Sequence, residues 1–285
     1  MKAHALEVTT EQYHADPLER PSLNASVATE LIQKSAKHAW QIHPRLGGKP
    51  KEQTPEMTDG TLYHALLLGS GLDRIAVLDV KDWRTNAAKD ARDTAFAQGK
   101  TIIKLSDFEL AMEAAEKIAK RIREFGIPLD ANPEMKVAWS ENTEDGEVLC
   151  RGMLDQSFVR ASGEATIYEL KMIRSADAKT VQRHVLDYGY DIQEAAYREA
   201  LAALFPETRG RTDFVFVFCE TDPPYEVRPA RLTAEFLARG WAQWKRAVRT
   251  WARCLKTGVW PGYVDGIDVV DVPPWALGDA VETNR

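Results

Sequence analysis

Asp155, Glu169 and Lys171 stand in a stretch that otherwise reads as buried strand, "CRGMLDQSFVRASGEATIYELK" at residues 150–171. Alternation along a strand puts Glu169 and Lys171 on one face, roughly 7 Å apart. A short polar turn brings Asp155 in on the preceding strand. Two carboxylates on a buried sheet repel each other and lose hydration, which is costly unless a positive charge lies between them. A divalent cation supplies that charge. Oxygen donors suit Mg²⁺ or Mn²⁺, which one or two carboxylates hold together with waters and substrate phosphate. A lysine alongside can orient or deprotonate an attacking water and stabilise charge on the phosphate. Taken alone, the pattern also fits a structural pair in which Lys171 neutralises Glu169 at a strand end. Glu134-Met-Lys136 repeats the spacing, but only Ala-Asn-Pro separates it from Asp130, leaving no room for a preceding strand.

Two further groups can join such a site. Gln193 and Tyr197 fall at i and i+4 on one helix face, where an amide and a phenol can hold a water, a lysine or a phosphate. Their bland alternative is a surface Gln and a core Tyr. His64 is a lone histidine in the apolar helical run "GTLYHALLL". Such a residue is commonly a satisfied core group, yet neutral imidazole can complete an oxygen-rich metal site.

The elements that must carry these residues follow from period and punctuation. Residues 1–21 read as polar and loosely attached. A helix spans about 22–41 and stops before His43-Pro44. A second spans 58–68, capped by Thr58 or Asp59. A short strand is expected at 74–80, and 81–100 reads as polar and mobile. Ser106-Asp-Phe-Glu109 has a capping-box spacing and opens a helix to Phe125. The period then changes. Strands are expected at 135–140, 147–159 and 165–171, helix at 175–205 with a break near Gly189, strands at 213–220 and 225–232, and a long helix at 233–256. The tail after 260 reads as surface turns. This order predicts an α/β fold, a mixed central sheet flanked by helices, with a helical N-terminal part. The expected organisation is a polar segment 1–21 and one domain over 22–285. That domain comprises a helical part to about 130, a catalytic core to about 260 and a tail over 261–285.

Composition bounds the function. The chain has 285 residues and a formal net charge of −6, so any nucleic-acid surface must be a local basic patch. Its three cysteines, Cys150, Cys219 and Cys254, are scattered, which argues against a disulfide framework or a four-cysteine zinc site. No apolar run has the length of a signal core or a membrane span. The expected setting is a cytoplasm that keeps these thiols reduced.

Taken in order and spacing, Gly60-Thr-Leu-Tyr-His64, Gly152-Met-Leu-Asp155, Glu169-Leu-Lys171 and "YGYDIQEAAY" resemble the PD-(D/E)XK nuclease superfamily. The resemblance is to its RecB-like branch and to phage exonucleases of the RecE (exonuclease VIII) kind. It covers roughly residues 22–265 and implies a restriction-endonuclease-like core. It further implies that Asp155, Glu169, the Leu170 carbonyl and His64 ligate Mg²⁺, with Mn²⁺ as a substitute. Lys171 would assist the water, and Gln193 and Tyr197 would support Lys171 and contact the DNA backbone. Glu141 stands where some relatives carry an extra acid, as a second-metal or outer ligand. The superfamily's proline is absent, Met153-Leu154 standing before Asp155. The activity implied is Mg²⁺-dependent exonuclease action on linear double-stranded DNA in phage-type recombination. A homo-oligomer and a single-strand annealing protein are the implied partners.

DNA contact is expected first at Arg174, Lys179, Arg183 and His184, after the catalytic strand. A second basic face on 239–256 reads as a solvated face, its tryptophans forming a core stripe. The alternatives are a related nuclease acting on single-stranded or structured DNA, and a non-catalytic nuclease-fold protein that binds DNA or a partner. An iron–sulfur version of the first lacks its cysteine cluster.

Overall fold

The computed structural model describes residues 1–49, 55–98, 100–129 and 133–273. Its first half contains β1 (His4–Ala5), α1 (Thr10–His14), α2 (Ala25–Gln33), α3 (Ala36–Ile42), α4 (Pro55–Leu68), β2 (Ile75–Leu78), α5 (Asn86–Ala97), β3 (Thr101–Lys104) and α6 (Leu105–Glu124). Its second half contains β4 (Met135–Thr143), β5 (Gly146–Leu154), β6 (Gln156–Val159), β7 (Ala165–Ile173), α7 (Ala178–Asp187), α8 (Tyr190–Leu204), β8 (Thr212–Glu220), β9 (Val227–Ala230) and α9 (Ala234–Thr257).

The fold is mixed α/β, as expected. The central sheet has the order β6-β7-β8-β9. Its β7 and β8 run parallel, with Glu169 beside Phe216 and Lys171 beside Phe218. The outer pairs are antiparallel. Strand alternation sorts its residues onto two faces. Ala165, Ile167, Ile173 and the phenylalanines 214, 216 and 218 join one cluster with α2, α8 and α9. Leu170, Val215, Val217 and Cys219 join another with α4 and α6. A sheet buried on both faces requires such near-continuous apolar strands. A second sheet, β1-β4-β5, and the parallel pair β2-β3 complete the fold.

Several expectations are corrected. The strand expected at 147–159 is two strands in different sheets. β5 ends at Leu154 beside Met135, and β6 begins at Gln156 beside Tyr168, so the chain changes sheet at Asp155. The helix expected at 22–41 divides at Lys34, because the Ser35 side chain accepts from the His38 N–H and starts a new helix. The stretch 81–100 holds α5, with its Ala88 and Ala95 buried. The spacing at Ser106–Glu109 is not a cap. α6 starts from Lys104 with no side-chain cap, and Ser106 Oγ bonds Asp107 instead. α4 begins at Pro55, so Thr58 and Asp59 lie within it rather than capping it. Residues 1–21 are not loose, because β1 pairs with β4 and the buried Asp16 carboxylate accepts from Ser22 Oγ at 2.7 Å. His43 and Arg151 also face Asp16, each at 3.3 Å.

The break near Gly189 is where it was expected, between α7 and α8. Trp244, Val248 and Trp251 of α9 are core, with Trp241 and Leu255 packed against them. The described part of the tail lies on the surface. Trp260 packs edge-on to Trp251 at 5.0 Å, and the exposed residues 265–273 follow. Among the described residues no helix is long and apolar enough to cross a membrane.

Candidate active site

The change of sheet at Asp155 builds the site. Beyond the Gln156–Tyr168 pair, β7 has no β6 neighbour. The Leu170 N–H then needs an acceptor, and Asp155 Oδ2 takes it at 2.8 Å. The Asp155 N–H faces Glu169 Oε2 at 3.5 Å. From α4, on the other face of the sheet, His64 Nε2 reaches the Leu170 carbonyl at 3.1 Å and lies 3.7 Å from Asp155 Oδ2. From α8, Gln193 Nε2 donates to Glu169 Oε1 at 2.5 Å, and Lys171 Nζ meets the same oxygen at 3.0 Å. Tyr197 is buried one turn along the same face of α8, and its ring lies 3.4 Å from the place a Cβ would take on Gly152. Asp155, Glu169, Leu170, Lys171, His64, Gln193 and Tyr197 are thus brought together.

Electrostatics follow from burial. Asp155 and Glu169 are 4% and 3% exposed. Burial pushes the Asp155 carboxyl up to about 7. Burial and then the Asp155 charge push Glu169 up to about 7. Burial, with the nearby Lys171 charge, lowers the His64 pKa, so its imidazole is neutral. Burial opposes the Lys171 charge, but Glu169, Tyr190 and Asp155 more than offset it and its pKa is raised. Once both acids ionise, this cluster carries one net negative charge.

The donor set fits a divalent cation. Among the described residues no three His, Cys, Asp or Glu side chains already converge as ligands, since Glu169 is turned to Lys171 and Gln193. His64 Nε2 lies 3.1 Å from Leu170 O and 3.7 Å from Asp155 Oδ2, so a carbonyl, a carboxylate and an imidazole nitrogen gather where they would hold the ion once that nitrogen gives up its proton. The two carboxyls resist ionising because they are buried side by side and Lys171 offsets only part of that cost, which a bound divalent cation would reverse.

Glu141 is not part of this cluster. It lies beside Val148 in the register in which Leu154 faces Met135, so it sits at the far end of β4. Its carboxylate accepts from Trp244 Nε1 and Lys245 Nζ, both at 2.6 Å, which anchors α9 to the sheet. The expected role as an outer or second-metal ligand therefore does not fit the geometry.

Of the expected DNA contacts, Arg174, Lys179 and Arg183 are exposed, just past β7 and on the outer face of α7. Arg183 pairs with Asp187 at 3.3 Å. His184 is a poor cation, because burial and Arg183 lower its pKa, and its ring packs against Tyr188 at 4.9 Å. On α9, Lys245 pairs with Glu141 and Lys256 with Asp145, in keeping with a solvated structural face.

Two residues were missed. Glu134, set aside with its Glu-x-Lys spacing, reaches the site by another route. Its N–H donates to the Asp155 carbonyl at 2.9 Å, and its charge raises the Asp155 pKa. It lines a cavity of about 310 Å³ with His64, Arg74 and Met153. A φ of 56° aims it there, and no spacing rule reveals that. The comparison acid, Asp130, lies outside the described residues. Tyr190 places its ring 4.7 Å from Lys171 Nζ. Its i, i+3, i+7 relation to Gln193 and Tyr197 was the available signal.

An Asp at the junction of β5 and β6, Glu-x-Lys on β7 and a Gln returned to the Glu from α8 fit a PD-(D/E)XK-type nuclease fold. A family model described as a PDDEXK-like domain of unknown function (DUF3799) matches residues 34–273, and the chain belongs to that family. Among solved structures it is similar to a Eubacterium rectale protein described as a "putative exonuclease". That likeness has a TM-score of 0.55 at 16% identity and covers 96% of this chain and 98% of that one, which speaks for the fold. A second structure, SSO0001, aligns at a TM-score of 0.29 and 10% identity over 79% of this chain and 84% of its own. No curated protein matches.

Proposed function

We propose that this protein is a divalent-cation-dependent deoxyribonuclease, an exonuclease acting on linear double-stranded DNA in phage-type recombination, of the RecE kind. The observation that carries the reading is the shared Glu169 oxygen, where Lys171 and Gln193 meet beside Asp155. The E. rectale structure, so described, supports the same direction. Asp155, Glu169, the Leu170 carbonyl and His64 would hold Mg²⁺ or Mn²⁺, with Glu134 at the rim. The ion supplies Lewis-acid polarisation of the phosphate and neutralises charge there.

The reaction is phosphodiester hydrolysis. A water oxygen bonds to phosphorus as its proton passes to solvent, and the bond to the leaving nucleotide oxygen breaks as that oxygen takes up a proton. With its pKa raised, Lys171 is an ammonium. It orients the water and stabilises charge developing on the phosphate, rather than serving as the base. Tyr190 and Glu169 hold the ammonium in place. Arg174, Lys179 and Arg183 would meet phosphates of the incoming strand. A homo-oligomer and an annealing protein belong to this reading as partners.

Linear duplex DNA labelled at either the 5′ or the 3′ end tests it, with Mg²⁺ or EDTA. The expected result is Mg²⁺-dependent release of one label as mononucleotides before the other. Discrete internal fragments would contradict the exonuclease assignment, and an intact duplex would contradict the nuclease.

A further inference from the structure

Beside the reacting groups, a line of aromatic rings runs out to solvent. α7 ends and α8 begins within Tyr188-Gly189-Tyr190. Gly189 has φ 64°, and a Cβ there would meet Thr29 Oγ1 at 2.5 Å. The turn is therefore seated against α2, where Gln33 Nε2 also donates to the Leu186 carbonyl at 2.7 Å. This fixed kink sets the two tyrosine rings nearly parallel, 5.8 Å apart at 20°. Tyr190 stacks in turn on the buried Phe216 at 5.7 Å and 24°. Lys171 Nζ lies 4.7 Å from the Tyr190 centroid.

At the outer end Tyr188 is 58% exposed. A scattered exposed aromatic needs no explanation. This one is held rigid at the end of a stack that begins at the lysine assigned to the reaction. Lys179 and Arg183 stand on the helix leading into it. Successive steps of 4.7 and 5.8 Å take the Lys171 ammonium to the Tyr188 ring, so the exposed ring stands close to the reacting groups. Rigid aromatic faces beside cations are what unpaired bases stack on.

We propose that the exposed face of Tyr188 is a stacking platform for one unpaired nucleobase of the strand being cut. The enzyme would then engage a strand end that has been separated from its complement. This rests on the nuclease reading and adds to it the state of the substrate.

The test measures binding of a short single-stranded oligonucleotide in Ca²⁺, over a series of salt concentrations. Cleavage of blunt and tailed duplexes in Mg²⁺ is measured alongside. Wild type, Tyr188→Ala, Tyr188→Phe and Lys179→Ala are compared after checking that their melting temperatures agree. Tyr188→Ala should weaken binding and lower kcat/KM about tenfold, within the range for losing one base stack. Its salt slope should stay that of wild type, because no phosphate contact is lost, and Tyr188→Phe should restore both values. Lys179→Ala should instead flatten the slope. If wild type cleaves and Tyr188→Ala matches it, the platform is overturned and the nuclease reading stands. If Tyr188→Phe fails as Ala does, the hydroxyl is the contact and stacking is overturned. If wild type neither binds nor cuts DNA, both readings fall.

Discussion

Glu169 Oε1 receives two donors, an ammonium and an amide, and this sharing sets how the site behaves when one residue is changed. Gln193 does not touch Lys171 directly, as the sequence suggested. It fixes the carboxylate that Lys171 also uses. Removing the amide leaves Glu169 Oε1 held by Lys171 alone. Gln193→Leu should therefore lower activity and Mn²⁺ affinity together, by about 10–100-fold, as loss of an outer partner of a metal ligand does. Cleavage rates and calorimetry on the same preparation check this, and unchanged Mn²⁺ affinity would place Gln193 on the DNA instead. At this scale strand and helix periods made Glu169 with Lys171 and Gln193 with Tyr197 legible as pairs and brought Asp155 near them, while His64 and the grouping of all six came from the family resemblance. Glu134 was not, because its approach depends on one left-handed backbone angle, and Glu141 misled because its partner is a tryptophan from a distant helix.

Among elements, α8 carries Gln193 and Tyr197, and α9 holds α8 in place. The closest approach is at Gly240, where a Cβ would fall 2.2 Å from the Asp191 carbonyl oxygen. Arg239 also pairs with Asp191. Gly240→Ala must push the two helices apart, and we expect a loss of about 1–3 kcal/mol, as for other overpacked contacts. Denaturant unfolding measures it, and wild-type stability would show that α9 shifts without strain. The elements best read from sequence were the long periodic ones, β7, β8, α6, α8 and α9. The division of 147–159 at Asp155 was hidden because both strands are apolar, and nothing local says that the chain changes sheet. α5 was missed because it is rich in polar and charged residues, and among its described residues the buried ones are the small alanines Ala88 and Ala95.

For the molecule as a whole, one sheet between two apolar clusters leaves several carboxyls under cover. Asp155, Glu169 and Glu194 each sit at about 7, with burial the leading cause. A carboxyl with a raised folded pKa binds more protons folded than unfolded. Its contribution is fully present below its ordinary value and is lost as pH rises through about 7. His14, His64 and His184, lowered by burial, act with the opposite sign, but only below their ordinary 6.5. The clean window therefore lies above 6.5. In EDTA the melting temperature should fall by several degrees between about pH 6.5 and pH 8. Mn²⁺ needs ionised ligands, so its stabilising effect should be larger at pH 8 than at pH 6. Thermal melts with and without Mn²⁺ check both, and an equal Mn²⁺ shift at the two pH values would count against Asp155 and Glu169 as ligands. Bulk charge gave no hint of a nucleic-acid partner. The exposed cations after β7 are local, so the net −6 neither forbids nor announces one.

The central claim is that Asp155 and Glu169 hold a cation while Lys171 acts on the water. The most direct test is single-turnover cleavage of linear duplex DNA by Lys171→Ala, paired with Mn²⁺ calorimetry on the same protein. Retained Mn²⁺ binding is expected, with a cleavage rate lowered by about 10²–10³-fold. Cleavage at the wild-type rate would contradict the claim.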